Sequence, residues 1–464
     1  MIEWLITILI VAPGVLLAVT RSSWLVDYVI IVLAFNRCIR RIADYYIEGQ
    51  FNPFSPISLT PLLVAILLLV VGGLDLSKLS KRGRTPILVI AGAVGLGFAV
   101  GVFTNRAAAF YSLAEWSAGL GAMAFAATQQ ATTEVADRWI KTAGWCGVLV
   151  AIYGWWQYYT IPPWDGMWLV QSGMAGYMGQ PEPTKMTVFS TLNERGPCGG
   201  FLAWAVIPMI INSRWRNIGG WISVVLILSG IVLTQTRTNI IVVGIVALLY
   251  PTLTRGRGTW RTLVLTALIM IAATLGMEHI PGMATMGDRF SAESLYGENS
   301  SFQYRTSIYR WEISDILTKP LGLGLGCSGM GGRLASNSVE GVADCGYMQI
   351  FGEFGWLGAT LFFGGLWMLW KELERRWLVG ARLLKVDGID PFVPATRAIL
   401  LTSLVLLFIG DVFSGFSLLW ILFGRVLNSN SEPELIILKV RAAMDGLALK
   451  SKSREGAAFA ANAG

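Results

Sequence analysis

Residues 59–104, LTPLLVAILLLVVGGLDLSKLSKRGRTPILVIAGAVGLGFAVGVFT, contain two long apolar runs separated by a short basic connector. The runs at 59–76 and 86–104 approach the length of about 20 residues that an α-helix needs to cross a bilayer. Basic connectors such as Lys81–Arg84 mark the cytoplasmic side of membrane proteins. The segment therefore predicts a membrane-spanning helical hairpin with its connector in the cytoplasm.

Similar apolar runs recur along the whole chain. Of its 464 residues, 54% are hydrophobic and 14% are charged, whereas about a quarter of a soluble domain is charged. The predicted fold class is all-α, a polytopic integral membrane helix bundle of about 12–13 spans. The predicted spans are residues 2–20, 24–38, 59–76, 86–104, 107–127, 140–160, 196–212, 218–236, 238–254, 262–277, 346–370, 396–410 and 413–428.

The connectors predict the orientation of the bundle. Basic clusters at Lys81–Arg84, Arg214–Arg216, Arg255–Arg257 and Lys371–Arg376 all fall on one side, which the positive-inside rule assigns to the cytoplasm. The net charge of +7 fits this orientation. It does not indicate nucleic acid as a partner, because the basic residues form no groove interleaved with aromatic side chains.

The N-terminal hairpin does not follow this rule. Arg37, Arg40 and Arg41 would lie on the outer side. Either one span in this region is miscounted, or the segment is an interfacial helix.

Two long connectors, at 161–195 and 278–345, fall outside the membrane. We predict N-terminal transmembrane helices at 1–277, a large extracytoplasmic loop at 278–345, C-terminal transmembrane helices at 346–428 and a partly disordered cytoplasmic tail at 429–464. We expect the large loop to form a helical subdomain that caps the bundle. Cys327 and Cys345 belong to this oxidising side, so they are either a disulfide or two unrelated cysteines.

Most soluble-enzyme chemistry is excluded by composition. His279 is the single histidine, so histidine-based metal sites and a Ser-His-Asp triad are not expected. The glycine run at 322–326 follows Pro320 without the strand and helix that a dinucleotide site requires. We predict neither a metal ion nor a cofactor.

Arginines at the outer ends of spans are the strongest chemical signal. Arg237 lies between two apolar runs, and Arg305 and Arg310 lie in the large outer loop. An arginine at the membrane edge is costly and marks a functional site by default, and a guanidinium group can hold phosphate oxygens in pairs. For Arg237, the alternative is a side chain that only extends to the interface.

Four motifs resemble the O-antigen ligase and polymerase family of bacterial envelope glycosyltransferases. The first is Thr234-Gln-Thr-Arg237 at an outer helix end. The second combines Arg305 and Tyr309 with PLGLGLG at 320–326, and the third is FSTLNERGPCGGFL at 189–202. In the fourth, the family has His, then Asn, Ser or Gln, nine residues and Gly-x-x-Gly. This chain has Asp344 and Cys345, nine residues and Gly355-Trp-Leu-Gly358.

The resemblance implies transfer of a sugar chain from undecaprenyl pyrophosphate to an acceptor hydroxyl at the outer face of the bacterial cytoplasmic membrane. The transfer would be inverting and metal-independent. Arg237 and Arg305 would stabilise the departing pyrophosphate, with Arg310 assisting and Arg289 as a more distant candidate. Asp344 would replace the family's histidine as the base; alternatively, it orients the acceptor hydroxyl or caps the helix that follows.

Further candidates flank these motifs. Asn193, Glu194 and Arg195 lie in the other outer loop, where Glu194 is the next candidate base, and Asp411 lies between the last two spans. Glu353 falls inside a span, where an unpaired carboxylate is costly, so we expect it to pair with an arginine.

The missing histidine favours a repeat-unit polymerase for an exopolysaccharide, capsule or O-antigen. The expected partners are an undecaprenyl-pyrophosphate-linked oligosaccharide, the growing glycan acceptor and membrane lipid, with a chain-length regulator as a further candidate. The alternatives are an O-antigen ligase to lipid A core, a transporter or flippase for lipid-linked sugars, and a peptidoglycan polymerase of the shape, elongation and division type.

Overall fold

The computed structural model describes residues 2–129, 133–254, 318–332, 345–383, 391–415 and 417–428, together with residues 264, 303, 306, 307, 309, 310 and 313. Apart from one isolated bridge between Gly179 and Met186, the regular elements of this described part are helices. The helices used below are α1 (Ile2–Val19), α2 (Trp24–Ala43), α3 (Thr60–Leu74), α4 (Lys81–Thr104), α5 (Ala107–Thr128), α6 (Thr133–Thr160), α7 (Pro163–Gln171), α8 (Ala175–Met178), α9 (Arg195–Ile211), α10 (Trp221–Leu233), α11 (Arg237–Thr254), α12 (Gly346–Leu383), α13 (Phe392–Leu406) and α14 (Leu418–Leu427).

The predicted fold class, an all-α membrane helix bundle, is confirmed. Within the described residues, three helical segments are long and apolar enough to cross a bilayer: Ile2–Val19, Pro56–Leu74 and Lys81–Thr104. Shorter apolar helices of 10–17 residues accompany them at Arg195–Ile211, Trp221–Leu233, Arg237–Tyr250, Phe392–Leu406 and Leu418–Leu427. The full span count, the loop subdomain at 278–345 and the tail at 429–464 fall mainly outside the described residues and stay predictions.

The predicted basic clusters within the described residues gather at one end of the bundle. Arg376 donates a hydrogen bond to the Asn428 carbonyl at 3.3 Å, and Gly83 lies against the Leu427 carbonyl. The Trp215 ring packs on Phe392 with centroids 5.0 Å apart. We call this end the basic end and the opposite end the cavity end.

The N-terminal hairpin places its three arginines at the cavity end of the bundle. The turn between α1 and α2 lies at the basic end, where Arg21 pairs with Asp75 at 3.0 Å. Because α2 then runs the length of the bundle, Arg37, Arg40 and Arg41 lie at the cavity end. The two alternatives for this segment, a miscounted span and an interfacial helix, stay predictions.

Two helices extend beyond their predicted apolar spans, and ion pairs form within the extensions. The span at 24–38 continues to Ala43, where Arg40 and Asp44 pair at 3.5 Å. The span at 346–370 continues to Leu383, and Arg376 pairs with Glu372 at 2.7 Å within this extension.

Small residues bring the central helices into close contact. A Cβ at Gly119 of α5 would lie under 3.0 Å from the Trp420 ring, and one at Gly424 of α14 would collide with the Met123 carbonyl. Such small residues permit the close helix packing that is typical of membrane bundles. Trp116 fills the centre beside Phe354, with ring centroids 5.0 Å apart.

A break inside α12 receives the glycine-rich segment 320–326. Gly355 has φ 64° and ψ −172°, and a Cβ there would approach the backbone of residues 320–322 to under 3.0 Å. Trp356 N donates to the Pro320 carbonyl at 2.8 Å, and Leu323 N donates to the Gly352 carbonyl at 2.7 Å. The glycines of these two motifs therefore serve close backbone packing.

One expectation about polar groups near this break is wrong. Among the described residues, no arginine forms an ion pair with Glu353. Its carboxylate accepts hydrogen bonds from Trp116 Nε1 at 2.8 Å and from Ser328 Oγ at 3.0 Å. Cys327 and Cys345 are both buried, and the two alternatives for them, a disulfide or two unrelated cysteines, stay predictions.

Candidate functional site

A cavity of about 1220 Å³ opens between α2, α9, α11 and the segment 406–418. Its lining contains the basic side chains of Arg37, Arg195 and Arg237 and the carboxylate of Asp411. The cavity therefore brings together three of the residues that the sequence singled out as candidates, together with Arg37.

The cavity is polar at one end and apolar towards the middle of the bundle. Arg37 lies seven residues after Ile30 on α2, and Trp204 lies nine residues after Arg195 on α9. At about 1.5 Å per helical residue, the apolar lining lies about 10–14 Å deeper than the guanidinium groups. Such a cavity suits a ligand with a charged head and a hydrophobic tail.

The Thr234–Arg237 turn is fixed by its own threonines. The Thr234 and Thr236 hydroxyl oxygens are 2.7 Å apart, and Asn239 Nδ2 donates to Thr236 Oγ1 at 2.8 Å. Gln235 has φ 54°, which belongs to the sharp turn between α10 and α11. The turn places Arg237 at the first position of α11, facing the cavity.

Gly199 of α9 allows this turn to dock. A Cβ at Gly199 would lie under 3.0 Å from the polar side-chain atoms of Asn239, Thr236 and Thr234. The contact holds the starts of α9 and α11 side by side. Arg195 and Arg237 therefore occupy neighbouring helix N-termini, whose partial positive charge adds to that of the side chains.

The Arg195 guanidinium lies over the Tyr177 ring, 4.2 Å from its centroid. Tyr177 is 55% exposed and also lines the cavity. The cation–π contact restricts the arginine side chain without occupying its hydrogen-bond donors. Arg195 is thus oriented and still able to bind an anion.

Arg37 enters the cavity from α2. No carboxylate among the described residues forms an ion pair with it, whereas Arg40 pairs with Asp44 and Arg41 with Asp165. An arginine in this position is costly unless it binds a charged partner. Arg37 is therefore available to an anionic ligand.

Asp411 supplies negative charge on the opposite wall. Its Oδ1 accepts hydrogen bonds from Phe413 N at 2.9 Å and Ser414 N at 3.1 Å, which fix the carboxylate in a tight turn. Glu115 of α5 lies near enough to interact electrostatically with Asp411 and Arg37. The polar end of the cavity therefore combines anion-binding and proton-accepting groups.

The remaining predicted residues lie elsewhere. Asn193 and Glu194 directly precede α9 and are not in the cavity lining, and Asn193 Oδ1 accepts a hydrogen bond from Arg41 at 3.0 Å. Arg310 is exposed, next to Tyr309, which does line the cavity. Arg289, Arg305 and Asp344 lie outside the described residues.

Arg37, Tyr177 and Glu115 are the cavity-end residues that the sequence did not nominate. The sequence did contain one indication of these residues, because Arg37 is a basic residue on the side where the positive-inside rule expects few. In the part of the chain that the structure describes, no group of three or more His, Cys, Asp or Glu could hold a metal ion.

A family model described as O-antigen ligase matches residues 222–363. Residues 222–363 are therefore similar to the O-antigen ligase family. The matched range includes the Arg237 turn, the glycine-rich segment 320–326 and the break at Gly355. No curated protein matches the chain.

The O-antigen ligase family is associated with glycosyltransferase-like ligase and polymerase activity on lipid-linked oligosaccharides in a membrane. The matched range covers under a third of the chain. Arg37, Tyr177 and Arg195 lie before it, so residues outside the matched range also line the cavity.

Proposed function

We propose that this protein is a polymerase that joins undecaprenyl-pyrophosphate-linked oligosaccharide repeat units into an exopolysaccharide, capsule or O-antigen chain. The observation that carries the proposal is the convergence of Arg37, Arg195 and Arg237 on the polar end of one amphipathic cavity. The family match supports lipid-linked sugar as the substrate class.

The arginines fit the leaving group. A lipid diphosphate gains negative charge as its bond to the sugar breaks, and guanidinium groups and helix N-termini stabilise such charge without a metal ion. Arg237 and Arg195 would grip the diphosphate from adjacent helices, and Arg37 would approach from α2. Arg305, Arg310 and Arg289 stay predicted contributors from the large loop.

The apolar part of the cavity fits the lipid. Its lining includes Ile30, Leu33, Phe201, Trp204 and Val242, which continue from the arginines towards the bundle interior. A polyprenyl chain beginning at the diphosphate would follow these side chains into the membrane.

The proposed step is a single displacement. The acceptor hydroxyl oxygen attacks the donor sugar's anomeric carbon, the bond from that carbon to the diphosphate oxygen breaks, and the lipid diphosphate leaves with the electron pair. The hydroxyl proton passes to a carboxylate. Asp344 is the predicted base, and Asp411 lies in the cavity to orient the acceptor hydroxyl.

The charge distribution supports an orientation with the cavity end outside. The clusters at Lys81–Arg84, Arg214–Arg216 and Lys371–Arg376 lie at the basic end, which the positive-inside rule assigns to the cytoplasm. The cavity end would then face the periplasm or cell exterior from the bacterial cytoplasmic membrane.

A ligase to lipid A core is the second candidate, because the matched family is described as O-antigen ligase. We favour the polymerase because Asp344 stands where the resemblance places the ligase histidine.

In the test, the purified protein in detergent is mixed with lipid-linked repeat units. Longer glycans on the carrier support the polymerase. Transfer to lipid A core alone supports the ligase, and no transfer in detergent points to a flippase. Arg237→Ala is the inactive control.

A further inference from the structure

Arg41 of α2 makes a fully buried network outside the cavity. The residue is 0% exposed. Its Nε donates to Asp165 Oδ1 at 2.7 Å, and Nη2 donates to the Ser190 carbonyl at 2.5 Å. Nη1 donates to the Leu192 carbonyl at 2.5 Å and to Asn193 Oδ1 at 3.0 Å. One guanidinium group thus holds α7 and the segment that precedes α9.

Asp165 and Gln157 hold the same segment from the other side. Asp165 Oδ2 accepts hydrogen bonds from Tyr153 Oη at 2.9 Å and Gln157 Nε2 at 2.5 Å. Gln157 Oε1 in turn accepts from the backbone N–H groups of Phe189 at 3.1 Å and Ser190 at 2.8 Å. The backbone of residues 189–193 is therefore bound by a continuous polar network.

The segment needs this support because its backbone is strained. Ser190 has φ 52°, a left-handed conformation that is unfavourable for a residue other than glycine. The Thr191 hydroxyl also donates to the Ala34 carbonyl of α2 at 2.6 Å. A strained backbone conformation such as that of Ser190 persists only where several contacts of its neighbours enforce it.

The network connects directly to the cavity. Residues 189–193 end two residues before Arg195, which begins α9 and lines the cavity. On α2, Arg37 precedes Arg41 by four residues, so the two side chains share one face of the helix. Helix α2 thereby presents Arg37 to the cavity. Through Arg41 it also holds the segment before α9, which sets the position of Arg195 in the cavity lining.

We infer that Arg41, with Asp165, is a positioning residue that sets Arg195 relative to Arg37 at the anion-binding end of the cavity. The inference rests on the proposed function. When a buried ion pair serves only the fold, replacing both partners by well-packed apolar residues often leaves the free energy of unfolding almost unchanged. The distinguishing property of Arg41 is that its effect on catalysis passes through Arg195.

Arg41→Lys tests the inference. Lysine keeps a positive charge beside Asp165, but its ammonium group lacks the planar fork that reaches the acceptors in the 190–193 segment. We expect KM for lipid-linked repeat units to rise about tenfold or more, with kcat changed less, because a positioned charge-assisted contact is lost. Arg138→Lys is the matched control, since Arg138 pairs with Asp27 at 2.9 Å at the basic end.

A double-mutant cycle gives the decisive comparison. If Arg41 acts through Arg195, Arg41→Lys combined with Arg195→Ala has the same kcat/KM as Arg195→Ala within about twofold, whereas Arg138→Lys adds its own effect independently. Multiplied losses from Arg41→Lys and Arg195→Ala would overturn the inference. Asn193→Ala, which removes one acceptor without changing charge, should reproduce the rise in KM if Arg41→Lys does not fold.

Amide hydrogen exchange separates this inference from the proposed function. In Arg41→Lys, exchange at Phe189 and Ser190 should accelerate relative to wild type and to Arg138→Lys. Unchanged exchange overturns the inference whatever the activity. Failure of the wild-type protein to transfer any sugar overturns the proposed function, and the exchange result still decides whether Arg41 holds the segment.

Discussion

Replacement of Arg37 by alanine tests the arginine that sequence reasoning regarded only as an anomaly of topology. Arg37 lines the cavity and has no ion-pair partner among the described residues. Its removal should therefore break no ion pair of the described residues, although it takes a positive charge from the neighbourhood of Glu115. We expect Arg37→Ala to fold and to lose substrate affinity.

The expected magnitude follows from the contact that would be lost. A hydrogen bond to a charged group contributes about 1.5–3 kcal/mol, which corresponds to a fall in kcat/KM of about 10- to 150-fold. Arg37→Lys keeps the charge without the paired donors, so its loss should be smaller.

The assay measures the rate of chain extension by purified protein with lipid-linked repeat units, alongside thermal unfolding. Arg21→Ala is the matched control, because Arg21 is a half-exposed arginine at the basic end that pairs with Asp75 at 3.0 Å. Wild-type kcat/KM in Arg37→Ala would refute the assignment. An equal loss in Arg21→Ala would show that the effect is not specific to the cavity.

Three further substitutions probe the site and its scaffold. Gly199→Ala should destabilise the protein by about 1–3 kcal/mol and lower kcat/KM, because the new methyl group forces the Arg237 turn away from α9. Thermal unfolding and activity measurements test this prediction. The control is Gly244→Ala, where a Cβ meets nothing within 4 Å. Gly355→Ala should cost at least about 3 kcal/mol and reduce the yield of folded protein, since it combines an unfavourable φ with a backbone collision, whereas Gly364→Ala on the same helix meets nothing within 4 Å and should fold normally. Asp344→Asn should lower kcat by about 100-fold or more if its carboxylate is the base; full activity of that variant in the extension assay would remove it from that role.

Much of the architecture is predictable from the sequence because hydrophobic length and basic connectors are local properties. The hairpin at 59–104 appears as α3 and α4, and the clusters at Lys81–Arg84 and Lys371–Arg376 lie at one end. The ends of α2 and α12 were less predictable. Both helices continue beyond their apolar spans into segments that carry ion pairs, and a hydropathy profile does not detect ion pairs.

The candidate site was predictable only where a motif is compact. Thr234–Arg237 is such a motif, and the structure places Arg237 in the cavity. Arg37 was missed because the sequence analysis treated it only as an exception to the positive-inside rule and did not consider it as a ligand-binding residue. The partners of Glu353 were also missed, since Trp116 lies 237 residues away in the chain and only the folded bundle brings the two together.

The most direct test of the account is the structure of the full-length protein with a bound lipid diphosphate. We predict phosphate oxygens within about 3 Å of the guanidinium nitrogens of Arg195 and Arg237, with the lipid along Phe201 and Trp204. Diphosphate bound at the basic end, or guanidinium groups that turn away from it, would contradict the account.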